Sequence, residues 1–183
     1  APAAFAAEST MSEEAFRTAV ASGTVNMTGD VTLASPVRIT SGVTINGNGY
    51  SVNGSSTNGL LCIDTDASVV IDNLTINGTI GIDVVSGSPS ISISDSEFNV
   101  SSRGIRFYDE DSTDDELAVF SNFTLDLDNT TIQNTLKPAD KTYENWSHQG
   151  DSRGISLWNM EGSTVTIENG SNILGFGYPI NMA

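Results

Sequence analysis

Two groups of side chains in this 183-residue chain have the types and spacing to do chemistry. The first holds Asp83, Arg106, Tyr108 and Trp158, with Arg103 and Arg153. Each of these last two arginines directly precedes the glycine of a similar segment, Gly104-Ile-Arg-Phe-Tyr108 and Gly154-Ile-Ser-Leu-Trp158. Exposed rings beside charged groups suit a carbohydrate, because aromatic faces stack on apolar sugar faces and charged groups take the hydroxyls. The competing reading is that neighbouring loops fold over the rings and bury them as a satellite cluster. Arg103 and Arg153 read either as an anion clamp for a uronate or as exposed guanidinium groups that neutralise nearby acids. The second group is the run Asp109-Glu-Asp-Ser-Thr-Asp-Asp-Glu116. It is dense in the hard oxygen ligands that calcium takes, with Asp109, Asp111 and Asp114 as candidate ligands. It lacks the Asp-x-Asp-x-Asp-Gly spacing of a calcium-binding loop between helices, so a solvated charged loop competes with calcium.

Other reactive residue types carry less. Asp126 and Asp128 alternate with Leu125 and Leu127 and should point outward from a strand. Paired carboxylates can hydrolyse glycosides, but such a pair on a strand is ordinarily a solvated face. His148 is the only histidine and Cys62 the only cysteine. No internal disulfide is possible, and Cys62 occupies an apolar position that suits a small core residue. Asn-x-Ser/Thr triplets, such as Asn73-Leu-Thr75 and Asn145-Trp-Ser147, arise easily in a chain this rich in Asn and Thr, and none is assigned as a glycosylation site.

The elements that must position these residues repeat. Segments led by Gly59, Gly81, Gly104 and Gly154 recur 22, 23 and 50 residues apart, and Gly177-Tyr-Pro-Ile opens a fifth. Each is followed by further short alternating strands, such as Ile91-Ser-Ile93 and Val165-Thr-Ile167. A period of this size in β-rich sequence predicts a stack of coils, each unable to bury its apolar face alone. The pattern predicts three strands per coil and about five coils, roughly 24 Å at about 4.8 Å per coil. Asn and Gly between strands fit the left-handed backbone of tight corners. Counting from each glycine, Leu60/Ile82/Ile105/Ile155 and Cys62/Val84/Phe107/Leu157 should face inward. Leu61/Asp83/Arg106/Ser156 and Ile63/Val85/Tyr108/Trp158 should face outward. The interval of 50 residues holds no glycine-led strand at its midpoint and reads as one coil with two insertions, near 109–116 and 135–152. Insertions of this kind collect on one face, often the binding face.

One helix is predicted ahead of the strands, within residues 9–23. Thr10 with Glu13, or Ser12 alone, can cap it. Ala15, Phe16, Ala19 and Val20 form its apolar stripe, and Gly23 ends it. It would cover one end of the stack, whose strand edges otherwise invite pairing. Residues 1–8 read as a signal-peptide remnant, with an A-x-A-like site at Ala4-Phe5-Ala6, or as a disordered tail. Net charge is −16. That argues against nucleic acid, whose binders need basic patches, and equally against anionic membrane surfaces. No apolar run approaches the length of a membrane span.

The segment Gly42-Val-Thr-Ile-Asn-Gly-Asn-Gly49 and the repeated Gly-Ile-x-Val … Ile-x-Ile-x-Asp/Asn coils resemble the right-handed parallel β-helix proteins of the pectate-lyase-like superfamily, over about residues 24–183. The resemblance implies an all-β, single-stranded right-handed parallel β-helix with a short N-terminal capping helix. It implies little about activity, since that fold hosts lyases, hydrolases, esterases, tailspikes and adhesins. Lyases of this kind use an arginine or lysine base beside a calcium-neutralised carboxylate, and no matching aspartates precede Arg103 or Arg153. The Asn-x-Asp, Asp-Asp, His and Arg-x-Lys set of polygalacturonases is not intact either. The expectation is therefore a non-catalytic module, secreted or at the cell surface, that binds glycan or mediates contact, with calcium as the only cofactor suggested. An acidic-polysaccharide lyase or hydrolase and a purely structural segment are the alternatives. Self-association is a further expectation, through the open C-terminal edge left by the strand at Gly177.

Overall fold

The computed structural model describes residues 9–110, 120–136, 152–157 and 160–182. The fold is mostly strand, arranged in parallel sheets, with a single helix among the described residues. Helix α1 spans Glu13–Ser22. The strands are β1 (Thr24–Asn26), β2 (Val31–Thr32), β3 (Val37–Ile39), β4 (Val43–Asn46), β5 (Ser51–Asn53), β6 (Gly59–Asp64), β7 (Ser68–Asp72) and β8 (Thr75–Ser86). They continue with β9 (Ser90–Ser94), β10 (Glu97–Phe107), β11 (Thr124–Asp128), β12 (Thr131–Asn134), β13 (Arg153–Leu157), β14 (Thr164–Glu168), β15 (Asn172–Leu174) and β16 (Tyr178–Met182).

The strands stand in three columns of parallel pairs. Column one is the sheet β1-β4-β7-β9-β11-β14. Strands β8 and β10 each run through both other columns. The first part of each pairs within β2-β5-β8-β10-β12-β15 (column two), and the second part within β3-β6-β8-β10-β13-β16 (column three). The described strands therefore form six levels, one more than the sequence predicted.

Period-two alternation sets which side chains meet. In β9, Ile91 and Ile93 are buried and Ser90 and Ser92 exposed; β11 repeats this with Leu125 and Leu127 inside and Asp126 outside, as expected. Stacked Val, Ile, Leu and Phe from the three columns make one continuous core. Phe120 and Phe123 bring the chain back into that core after the first insertion. Their rings pack on Phe107 at centroid distances of 5.4 and 4.2 Å.

The corner between columns one and two uses the same device at successive levels. Asn48, Asn73, Asp95, Asn129 and Asn169 all adopt positive φ, the left-handed region that Asn and Asp tolerate best outside glycine. On column two, the amide of Asn77 donates to Asn53, that of Asn99 to Asn77 and that of Gln133 to Asn99, at 2.7, 3.0 and 2.5 Å. The side chains thus repeat the backbone ladder outside the core.

Helix α1 covers the first level. Ser12 is its N-cap, accepting from the Ala15 N–H, and Gly23 ends it at φ +86°. Phe16 and Val20 are buried under the first strands, whereas Ala15 of the expected stripe is exposed. At the other end the core-facing side chains lose their cover. Ile180 is 42 % and Met182 67 % exposed, while Ile155 and Leu157, their partners one level below, are fully buried.

Candidate functional site

The site expected from the sequence falls on the outward face of column three. The long connections, β10 to β11 and β12 to β13, start and finish at the margins of this column. The register puts Arg103 opposite Arg153 and Arg106 opposite both Asp83 and Ser156. The 50-residue interval is therefore a single step between neighbouring levels, as expected. All the described arginines of the strands, Arg38, Arg103, Arg106 and Arg153, lie in column three.

Asp83 and Arg106 meet, but not as a ligand-facing pair. Asp83 is 1 % exposed. Arg106 grips its carboxylate through Nε to Oδ1 at 2.8 Å and Nη2 to Oδ2 at 2.7 Å. Oδ2 also accepts the Gly59 N–H at 2.7 Å. A carboxylate can be taken out of water only with such compensation. The expectation that Asp83 offers itself to a ligand is corrected: its acceptor sites are spent inside the protein. The Arg106 guanidinium then lies over the Tyr108 ring, 4.2 Å from its centroid, so one ring face carries a cation–π contact. Tyr108 is half-buried. Trp158, expected above it, lies outside the described residues.

Register on β6 differs from the glycine-based alignment. Cys62, not Leu61, stands opposite Asp83, and Ile63, not Cys62, stands opposite Val84. Gly59 pairs with Ile80 instead of Gly81. Ile63, expected outside, is fully buried, and Leu61 is core. In this register Leu61 and Ile63 reach the core and the Gly59 N–H reaches the Asp83 carboxylate. Cys62 therefore belongs to the outward row Arg38, Cys62, Asp83, Arg106, Ser156, Asn181, not to the core stack. Burial, and then the charge of Asp83, push its thiol up to about 11. It is a protonated, unreactive group under neutral conditions. The C-terminal strand is also displaced from expectation: Ile180 pairs with Ile155, which puts Pro179 and not Gly177 at the glycine position.

The sequence reading missed one polar cluster on this face. Arg38 binds Asp64 at 2.8 Å and both carboxylate oxygens of Glu110, at 3.2 and 2.5 Å. Ser86 completes the set by donating to Asp64. Glu110 is the second residue of the acidic insertion, so Arg38 tethers the start of that insertion at column three. The outward position of Arg38 in Val37-Arg-Ile39 was the available signal. Hydrogen bonds from Arg38 to Glu110, and from Ser86 and Arg38 to Asp64, hold both carboxyls below their usual range. A depressed carboxyl contributes stability above its unfolded value of about 4, and that contribution disappears as pH falls through the folded value. We expect carboxyl NMR titration to place Glu110 below an ordinary glutamate, and Arg38→Ala to return it to the ordinary value. An unchanged Glu110 titration in the variant would show that the tether does not form.

Of the candidate calcium ligands, Asp109 is half-buried, and Asp111 and Asp114 lie outside the described residues. Among the described residues, no group of three or more His, Cys, Asp or Glu side chains is placed to hold a metal. His148 and residues 137–151 of the second insertion also lie outside them. No helix among the described residues is long and apolar enough to cross a membrane.

No protein-family model, curated protein or solved structure matches this chain.

Proposed function

We propose that the chain winds as a right-handed parallel β-helix of the pectate-lyase-like kind and serves as an exported or cell-surface, non-catalytic module that holds glycan on the outward face of column three. The observation that carries this reading is the placement of both insertions at the margins of one column, the same column that carries Arg103, Arg106, Arg153 and Tyr108. The register of neighbouring strands one repeat apart supports the fold part of the reading. Asp83 enters the function indirectly, by fixing Arg106 against Tyr108.

The test is to incubate the protein with acidic and neutral polysaccharides, with and without calcium, and follow both polymer length and co-elution on size exclusion. We expect a polymer to co-elute with the protein at unchanged length. Tyr108→Ala, and the double variant Arg103→Ala/Arg153→Ala, should each weaken retention by about tenfold, equivalent to about 1.4 kcal/mol. Retention unaltered in both variants overturns the placement of the site, and a shortened polymer overturns the non-catalytic reading in favour of a lyase or hydrolase.

A further inference from the structure

Eight Asn-x-Ser/Thr triplets, indistinguishable in the sequence, begin at described asparagines. Two of these asparagines, Asn26 and Asn122, are exposed but engaged: Asn26 accepts from the Asn46 amide and Asn122 donates to Ser121. The other six fall into two structural sets. Asn53, Asn77 and Asn99 are half-buried on column two and spend their amide N–H groups inside the protein. Asn53 donates to Val31 and Ser51, Asn77 to Asn53 and Asn99 to Asn77. Replacing one of those hydrogens with a sugar would cut the ladder and crowd a face with levels about 4.8 Å apart. Asn73, Asn129 and Asn169 instead occupy the left-handed corner between columns one and two, with φ of +49°, +46° and +52°, and all three are exposed. Asn129 donates its amide to Asp95 at 2.5 Å. The side chains of Asn73 and Asn169 take no part in any hydrogen bond among the described residues. Each is followed two residues later by a hydroxyl, Thr75 and Ser171.

We propose that Asn73 and Asn169 are the positions at which this fold accepts an N-linked oligosaccharide. A transferase reads the Asn-x-Ser/Thr triplet in chains entering a secretory compartment. The Asn Nδ2 forms the new bond to C1 of the first sugar, and the bond from C1 to the pyrophosphate of a lipid-linked donor breaks. The lipid pyrophosphate departs with the electron pair, and the amide gives up one proton. Both corner asparagines are exposed, and they are the second and fifth members of the corner series Asn48, Asn73, Asp95, Asn129, Asn169. Asp95 and Asn129 therefore separate the two attached chains. Glycans on Asn129 and Asn169 together would crowd, because those residues follow the paired Asp128 and Glu168 on adjacent levels.

The test is secretion of the chain from a eukaryotic host, followed by enzymatic release of N-glycans in heavy-oxygen water and peptide mass mapping. Released sites then read as labelled aspartate. We expect label at Asn73 and Asn169, none at Asn53, Asn77 or Asn99, and loss of one glycan's mass in each of Asn73→Gln and Asn169→Gln. Secreted, folded protein without label at Asn73 and Asn169 overturns the inference, as does label at Asn77 or Asn99. Neither result bears on polysaccharide binding at column three.

Discussion

Asp83→Ala should destabilise the protein by about 3–5 kcal/mol, the cost of leaving one member of a buried ion pair without its partner. The substitution removes both carboxylate contacts of the Arg106 guanidinium, whose side chain is only 12 % exposed, and it orphans the Gly59 N–H. It also frees Arg106 from the geometry that holds it over Tyr108. The measurement is denaturant unfolding, with thiol labelling of Cys62 as a second readout, since that thiol is buried beside Asp83 and exchanges with reagent only when this part of the sheet opens. The double variant Asp83→Leu/Arg106→Met should recover most of the loss, because removing both charges avoids the uncompensated one. An Asp83→Ala protein as stable as the parent would show that the pair is solvated and that Asp83 is available to a ligand after all.

Gly104→Ala should be at least as disruptive as an overpacked core, which costs about 1–3 kcal/mol or more. A Cβ on Gly104 would lie 2.5 Å from the backbone carbonyl oxygen of Gly154 and would overlap the Ile132 side chain. The carbonyl belongs to the next level of the stack and cannot swing away as a side-chain tip can. Gly81 meets the oxygen of Gly104 in the same manner, at 2.7 Å. Adding the methyl group forces two neighbouring levels apart and costs their hydrogen bonds. Gly170→Ala serves as the control, since no atom lies within 4 Å of its Cβ position, although its φ of +84° still carries a backbone penalty. Thermal unfolding that ranks Gly104→Ala at or above Gly170→Ala in stability would contradict the close stacking of levels.

Much of this architecture was legible in the residues themselves. Gly81, Gly104 and Gly154 stack because each sits where a Cβ would strike the level above, and that requirement leaves a period in the sequence. Ile82, Ile105 and Ile155 follow them inward because strands alternate. The register of β6 was not legible. Gly59-Leu-Leu-Cys-Ile63 is buried along its whole length, and a run with no alternation does not say which face is which. The observed register is the one that buries Leu61 and Ile63 and gives Asp83, a residue of the next level, the Gly59 N–H. The candidate site suffered from a related limit: Asp83, Arg106 and Tyr108 were placed on one face correctly, but whether a charged group faces solvent or a partner depends on neighbours more than twenty residues away. The tether from Arg38 to Glu110 spans 72 residues and leaves no local pattern.

The confinement of the strand arginines to column three gives the molecule a transverse electrical polarity. Columns one and two carry Asp72, Asp95, Glu97, Asp126, Asp128 and Glu168 with no described basic residue in their strands or shared corner. An anionic polymer or wall approaching a chain of net charge −16 is repelled as a whole. Within the screening distance of about 8 Å at physiological ionic strength, however, the field differs from side to side and exerts a torque. Among the described residues column three, where Asp64, Asp83 and Glu110 offset Arg38 and Arg106, is the less acidic side and the one least repelled. Added salt shortens that range, so encounter becomes less oriented even as the overall repulsion weakens.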